Sequence, residues 1–333
     1  MASLAAEYAP SSMASTQAMI LGGDIGGTKT LLAARDGETT WLSKRYLNAR
    51  YANFDALLEA FLSELRAVSR APLERACLAV AGPVMGGVAS LTNLPAWRLE
   101  AGALAVRHAL GAVHLVNDFA AVAWGLASLT KPETRCLQVG NASPHATLLA
   151  LGPGTGLGAA VRHAGGVLPS EGGHVGFSPF DQDSLDLWQF LGAPAVRVNV
   201  ERVVSGRGLT DCYRYCLHAA GGIVPPHAEP AEVVAAATGS GAQTAPARRA
   251  LALFSRCFGA VAGDLALAFL PHGGVYLAGG MTSKLPAELF DANFLATFRD
   301  KAESSALNAT LPIHVVLVED LGLRGALTWD WAS

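Results

Sequence analysis

The sequence predicts an α/β protein built as two lobes around a cleft, and three observations lead there. A glycine-rich turn between apolar runs occurs twice. Ala18–Leu21 leads into Gly22-Gly23-Asp24-Ile25-Gly26-Gly27-Thr28-Lys29 and out through Thr30–Arg35; Thr147–Leu151 leads into Gly152-Pro153-Gly154-Thr155-Gly156-Leu157-Gly158 and out through Ala159–Arg162. Strand-like runs, hairpins and helical periodicities alternate within both halves, the pattern of a sheet covered by helices with ligands at the carboxyl ends of its strands. Hydrophobic residues make up 51% of the 333 and charged residues 15%, enough apolar material for a large core.

The elements follow in order. Each glycine turn joins two strands and is followed by a second turn, Asp36-Gly37 or Gly165-Gly166. Thr39–Tyr46 continues the first meander. Phe54–Ser69 has helical spacing through Leu57, Leu58, Phe61, Leu62 and Leu65. Cys77–Ala81 reads as a short strand stopped by Gly82-Pro83, and Gly86-Gly87 as a hairpin running to Pro95. Leu99–Leu110 is expected to be a helix, His114–Val116 a buried strand, and Phe119–Leu129 an Ala-rich helix serving as hinge. In the second half Leu185–Leu191 reads as a short helix. Asn199–Leu217 reads as two helical pieces broken around Ser205-Gly206 and Gly208. A Gly-, Pro- and Ala-rich excursion from Ala219 to Pro246 encloses one short helix and precedes a long helix from about Ala247 to Leu270. Gly274–Leu277 and His314–Val318 are strands, and Leu321–Trp331 a terminal helix.

The net charge of −3 carries no basic footprint for nucleic acid. No membrane span is expected, because the best apolar stretch, Cys257–Leu270, contains Asp264 and ends at Pro271. Residues 1–18 are rich in Ala and Ser without Lys or Arg, and are expected to be a loose tail, or the result of a start placed upstream of Met13 or Met19, rather than a targeting peptide. Five cysteines with no Cys-x-x-Cys, of which Cys212 and Cys216 lie one helical turn apart, point to core packing in a reducing, cytoplasmic setting.

Glycine lets a backbone turn tightly and approach a ligand so that N–H groups meet phosphate oxygens. Two such turns, each with a threonine, suggest one phosphate clamp per lobe, the alternative being two ordinary hairpin turns. Asp118 follows the apolar run His114-Leu115-Val116 and is expected at a strand's end facing the cleft. A carboxylate there either takes a hydroxyl proton during phosphoryl transfer or caps the helix beginning at Phe119, and both roles are compatible. Asn117 beside it offers a donor and an acceptor. The turn Ser170-Glu171-Gly172-Gly173-His174 sets a carboxylate near an imidazole, a pair suited to several hydroxyls of a polyol or to an ordinary surface turn. Glu201 is a further acceptor in an apolar setting. Gly273–Leu285 reads as strand, Gly279-Gly280 turn and helix, a place where a flat ring can lie on the backbone.

In this order the motifs resemble the bacterial glucokinase family, within the superfamily of actin-like proteins, sugar kinases and heat-shock chaperone ATPases. The resemblance spans roughly Met19 to Trp331. It implies a two-lobed actin-like fold, a duplicated ribonuclease H-like unit with a central cleft. Residues 19–120 with 321–333 would form the small lobe and 121–320 the large one. It implies phosphorylation of D-glucose by ATP, with Asp118 as general base on the 6-hydroxyl and Asn93, Asn117, Glu171, His174 and Glu201 gripping the sugar. Gly23, Asp24, Ile25, Gly26, Gly27, Thr28, Lys29, Gly154, Thr155, Gly156, Gly279 and Gly280 would hold ATP, with Asp24 near Mg²⁺. It also implies a homodimer, and no structural zinc, since the cysteine-rich motif of the related repressor and kinase family is lacking. Two departures stand out: Lys29 where many members carry Asn, which would add a phosphate contact, and Gly176 where an acidic residue often follows His174-Val175, which would loosen the sugar turn. Two rival readings are a kinase for another hexose, and a sugar-responsive regulator, which would need a helix-turn-helix module. A third, an actin- or chaperone-like ATPase, gives the Glu171/His174 turn no purpose.

Overall fold

The computed structural model describes residues 19–331 apart from 92–93, 144, 226, 283–284 and 291. The first half runs β1 (Met19–Ile25), β2 (Lys29–Asp36), β3 (Thr39–Leu47), α1 (Phe54–Val68), β4 (Leu73–Val80), β5 (Val84–Met85), β6 (Val88–Leu91), β7 (Leu94–Glu100), α2 (Ala101–His108), β8 (Ala112–Asn117) and α3 (Asp118–Gly125). The second runs β9 (Thr134–Gln138), β10 (Leu148–Pro153), β11 (Leu157–His163), β12 (Gly166–Ser170), α4 (Gln182–Phe190), α5 (Gly206–Ala219), α6 (Pro230–Thr238), α7 (Thr244–Phe269), β13 (Gly274–Leu277), α8 (Ala292–Arg299), α9 (Ser305–Thr310), β14 (Ile313–Val316) and α10 (Leu321–Leu327).

The duplication is visible in the sheets. One has the order β3-β2-β1-β4-β8 and the other β12-β11-β10-β13-β14, extended by β9. In both, the two hairpins are antiparallel and the next two strands are parallel to the first. Parallel register brings strand ends together. Ile25, Val80 and Asn117 lie in line in one sheet, Leu151, Leu277 and Val315 in the other. Each glycine turn therefore opens on the same edge as the segments that follow its neighbours.

Each sheet has its own core. α1, with Phe54, Leu57, Leu58, Phe61, Leu62 and Leu65 on one face, packs on the first. α5 and α7, through Leu209, Cys212, Cys216, Phe254, Cys257 and Phe258, fill the second. Burial in this core pushes the Cys216 thiol up to about 12, so these cysteines act as small apolar side chains. Between the sheets, α3 crosses α10 at glycines: a Cβ at Gly125 would lie 2.4 Å from the carbonyl oxygen of Leu321, and one at Gly325 1.8 Å from that of Ala121. No larger residue permits that approach.

Several elements differ from expectation. Leu99 belongs to β7, where it pairs with Ala89, so cross-strand pairing overrides helical spacing and α2 starts at Ala101. Gly208 lies inside α5. A Cβ there would sit 2.1 Å from the Val203 carbonyl oxygen, so this glycine admits the incoming chain while the Ser205 side chain caps the helix. After Gly280 comes a turn rather than a helix, with the Thr282 N–H donating to the Gly279 carbonyl at 3.1 Å. α10 ends at Leu327, beyond which Trp329 folds onto Trp124 and Trp331 onto His114. α7 has the length and hydropathy of a membrane span, contrary to expectation, but 72% of its apolar window is buried inside the protein.

Candidate active site

Asp118 is the first residue of α3, at the end of β8. The cap role passes to its neighbour: Asn117 Oδ1 accepts the Ala120 N–H at 3.1 Å, while Asp118 Oδ1 accepts the Phe119 N–H at 2.8 Å. The remaining Asn117 group, Nδ2, is 3.5 Å from the Gly82 carbonyl. Asp118 and Asp24 both keep some access to solvent, yet protein surrounds them closely. Burial foremost, then the negative charge of Asp24, pushes the Asp118 carboxyl up to about 7, with Glu171 adding a smaller push. Burial likewise raises Asp24 to about 6, partly offset by the Lys29 ammonium. Asp118 thus feels the charges of both the first glycine turn and the Glu171 turn.

The first glycine turn is held from behind by a residue that sequence reading passed over. Asn48, buried, donates from Nδ2 to the Gly26 carbonyl at 2.8 Å and from its backbone to the Thr28 carbonyl at 3.0 Å, and accepts from Thr30 Oγ1 at 2.9 Å. Its signal in the sequence is a lone Asn after a strand, which is no signal. Thr28 stays exposed at the tip. Lys29 does not lean over the turn; its ammonium is 2.9 Å from Glu319 Oε2.

The second turn closes through a Gly154 N–H to Gly156 carbonyl bond of 2.8 Å, and Thr155 is exposed at its tip. Gly279, with φ of 98°, lies beside it, the position of its Cβ being 3.5 Å from the Pro153 carbonyl. The start of α5 joins them, because the Gly206 N–H donates to the Gly154 carbonyl at 2.9 Å.

Glu171, His174 and Glu201 come together. His174 Nε2 is 3.6 Å from Glu171 Oε2, and His174 Nδ1 is 3.7 Å from Glu201 Oε1. Glu201 reaches this point from the short turn Val200–Arg202, with Oε2 accepting the Leu157 N–H at 3.3 Å. Gly156 makes room for it: a Cβ there would stand 2.3 Å from Glu201 Oε2. Arg202, paired with buried Asp211, anchors the same turn. Gly176 does not leave the segment loose, because it bridges to Asn199 and flanking backbone bonds join Val175 to Val200 and Phe177 to Val198. Asn93 lies outside the described residues. The described site residues thus comprise a carboxyl raised to about 7, two glycine turns with exposed threonines, and the acceptor-rich cluster of Glu171, His174 and Glu201.

The family model for glucokinase matches residues 21–331. The chain belongs to the glucokinase family. Its relatives include the glucokinase of a Nostoc species, 35% identical across 92% of this chain and 97% of the relative, and that of Chromohalobacter salexigens, 38% identical across 91% and 95%. Among solved structures, glucokinase from an Antarctic psychrotroph superposes with a TM-score of 0.79 at 28% identity over 92% of this chain and 97% of that one. Glucokinase from Balamuthia mandrillaris, in complex with glucose, gives 0.77 at 25% over 93% and 92%. The two-lobed actin-like sugar-kinase fold expected from the motifs is therefore the fold of this family member, and its chemistry is that of a hexose kinase.

Proposed function

We propose that this family member transfers the terminal phosphoryl group of ATP to the 6-hydroxyl of D-glucose, with Asp118 as the general base. The observation behind this reading is the position of Asp118, whose carboxyl is raised to about 7 by burial and by the charges of Asp24 and Glu171. A base with such a value is substantially ionised at neutral pH and still strong enough to accept a hydroxyl proton. The sugar lies against Glu171, His174 and Glu201, with Asn93 and the Nδ2 of Asn117 completing the grip. Glu171 and Glu201 accept from hydroxyls that do not react, fixing the ring so that the 6-hydroxyl meets Asp118.

ATP lies between the two glycine turns. Gly23, Ile25, Gly26, Gly27 and Thr28 face its phosphates from one lobe, Gly154, Thr155 and Gly156 from the other, and the adenosine rests along Gly279-Gly280. Lys29, committed to Glu319, acts through its charge rather than by contact. Asp24 would hold Mg²⁺. Among the described residues no three His, Cys, Asp or Glu side chains gather as a metal cage. A partly buried carboxylate beside a second one fits Mg²⁺ nonetheless, since that ion takes one or two carboxylates and draws its other ligands from phosphate and water. Bound there it would neutralise phosphate charge.

Residues 19–120 with 321–333 form the small lobe, 121–320 the large lobe, and the glycine crossing of α3 with α10 their hinge. We place the enzyme in the cytoplasm as a homodimer. The test is formation of sugar phosphate by purified protein with Mg-ATP across glucose, mannose and fructose. The reading requires the highest kcat/KM with glucose. A preference for another hexose would replace the substrate, and no transfer to any hexose would overturn the reading.

A further inference from the structure

Two turns supply the proposed sugar grip, and Asn199 joins them. It caps the turn Val200–Arg202, its Oδ1 accepting the Arg202 N–H at 3.0 Å. Only the oxygen of an amide accepts from an N–H, so this bond fixes which way the amide faces. Its Nδ2 then points to the other turn, 3.3 Å from His174 Nδ1. An amide nitrogen donates and does not accept, so Nδ1 must offer its lone pair. In the neutral ring the proton then sits on Nε2, the nitrogen on the Glu171 side, 3.6 Å from Oε2.

We propose that Asn199 is a positioning residue that sets the tautomer of His174, so that the sugar turn presents one donor, His174 Nε2–H, beside one acceptor, the Glu171 carboxylate. This rests on the reading of Glu171 and His174 as sugar contacts. A hydroxyl entering between them accepts from Nε2–H and donates its single proton to Glu171. The opposite tautomer would set two acceptors against that one proton and leave one unsatisfied. Glu201 does not compete for Nδ1: its Oε1 stays 3.7 Å away, beyond hydrogen-bond reach, and its Oε2 accepts from Leu157. The backbone keeps Asn199 in place, through its bridge to Gly176 and the Val200 N–H to Val175 carbonyl bond of 2.9 Å. Gly176 has no side chain to hold the ring, and Asn199 does so across the bridge.

The experiment uses the full chain without ligand, labelled with ¹⁵N-histidine at pH 8.5, with His174→Gln identifying the resonances. Asn199→Asp keeps the cap, since Asp caps as well as Asn, but puts an acceptor against Nδ1. Asn199→Ser keeps the cap and withdraws the contact. The wild-type spectrum is expected to show the proton on Nε2 and a bare Nδ1, and Asn199→Asp to show Nδ1 protonated. For Asn199→Ser the KM for glucose should rise by roughly 5-fold or more, the scale of one polar group left unsatisfied, with kcat and the KM for ATP little changed. A wild-type ring protonated on Nδ1, or an Asn199→Ser enzyme with unchanged glucose KM, would overturn the proposal. An unchanged glucose KM in His174→Ala would overturn the underlying sugar-contact reading, whatever the spectra show.

Discussion

Replacing Asp118 with Asn should make the ligand-free protein more stable at pH 8 and leave its stability nearly unchanged near pH 4. The sign follows from the carboxyl itself. Its value rises from 3.8 in a free chain to about 7 in the fold, chiefly by burial and then by the Asp24 charge. Well below 3.8 both folded and unfolded chains hold the proton, and the residue costs nothing. Near pH 4 the unfolded chain has only begun to release it, so the cost is still small. Between 4 and 7 the unfolded chain releases it while the fold resists, and above 7 the folded protein bears the whole cost of the charge. A rise of about 3 units corresponds to at most ~4 kcal/mol. The side chain retains solvent access, so screening reduces this to about 1–2 kcal/mol. For a chain of this size that is a rise in Tm of roughly 1–3 °C. Scanning calorimetry of both proteins from pH 4 to 8, without nucleotide and with chelator, measures it. A gain that is equal at all pH values, or larger at pH 4, would refute a raised carboxyl as its source.

The other expectations concern the cleft. Glu171→Ala removes an acceptor for hydroxyls that do not react, so the KM for glucose should rise strongly and that for ATP much less; equal damage to both would indicate misfolding. Gly156→Ala inserts a methyl 2.3 Å from Glu201 Oε2 and must displace that carboxylate, so steady-state kinetics should show a raised glucose KM with the Tm nearly unchanged. Glucose bridging Asp118 and the Glu171 wall should draw the lobes together about the α3–α10 crossing. Solution scattering should then show a smaller radius of gyration with saturating glucose, and ATP hydrolysis without sugar should be very slow. An unchanged radius together with brisk sugar-free hydrolysis would contradict the bridging.

What the sequence disclosed, and what it withheld, follows from the range of the interactions. The paired glycine turns, the β8 end carrying Asp118 and the Glu171-to-His174 turn are local patterns of turn chemistry and apolar runs, and they stand where they were expected. Two elements were misread: Leu99 joins a strand because β6 lies beside it, and Gly208 lies inside α5 rather than at a break, making room for the Val203 backbone that leads into the helix. β9, α8 and α9 gave no clear pattern: Leu137 of β9 and Phe294 and Phe298 of α8 face a core assembled from both ends of the second half, and α9 buries the polar Asn308. Asn48 and Asn199 were illegible as well. A single amide acquires its role only when folding sets another turn against it, as Gly26 meets Asn48 and His174 meets Asn199.

The most direct test of the account is turnover by Asp118→Asn beside calorimetric binding of glucose and ATP to the same protein. The Asn side chain keeps the shape of the Asp carboxyl but cannot take the hydroxyl proton. The account predicts that both ligands still bind while kcat falls by roughly 10²–10⁴-fold. Near-normal turnover would remove Asp118 from the chemistry and leave it merely the first residue of α3.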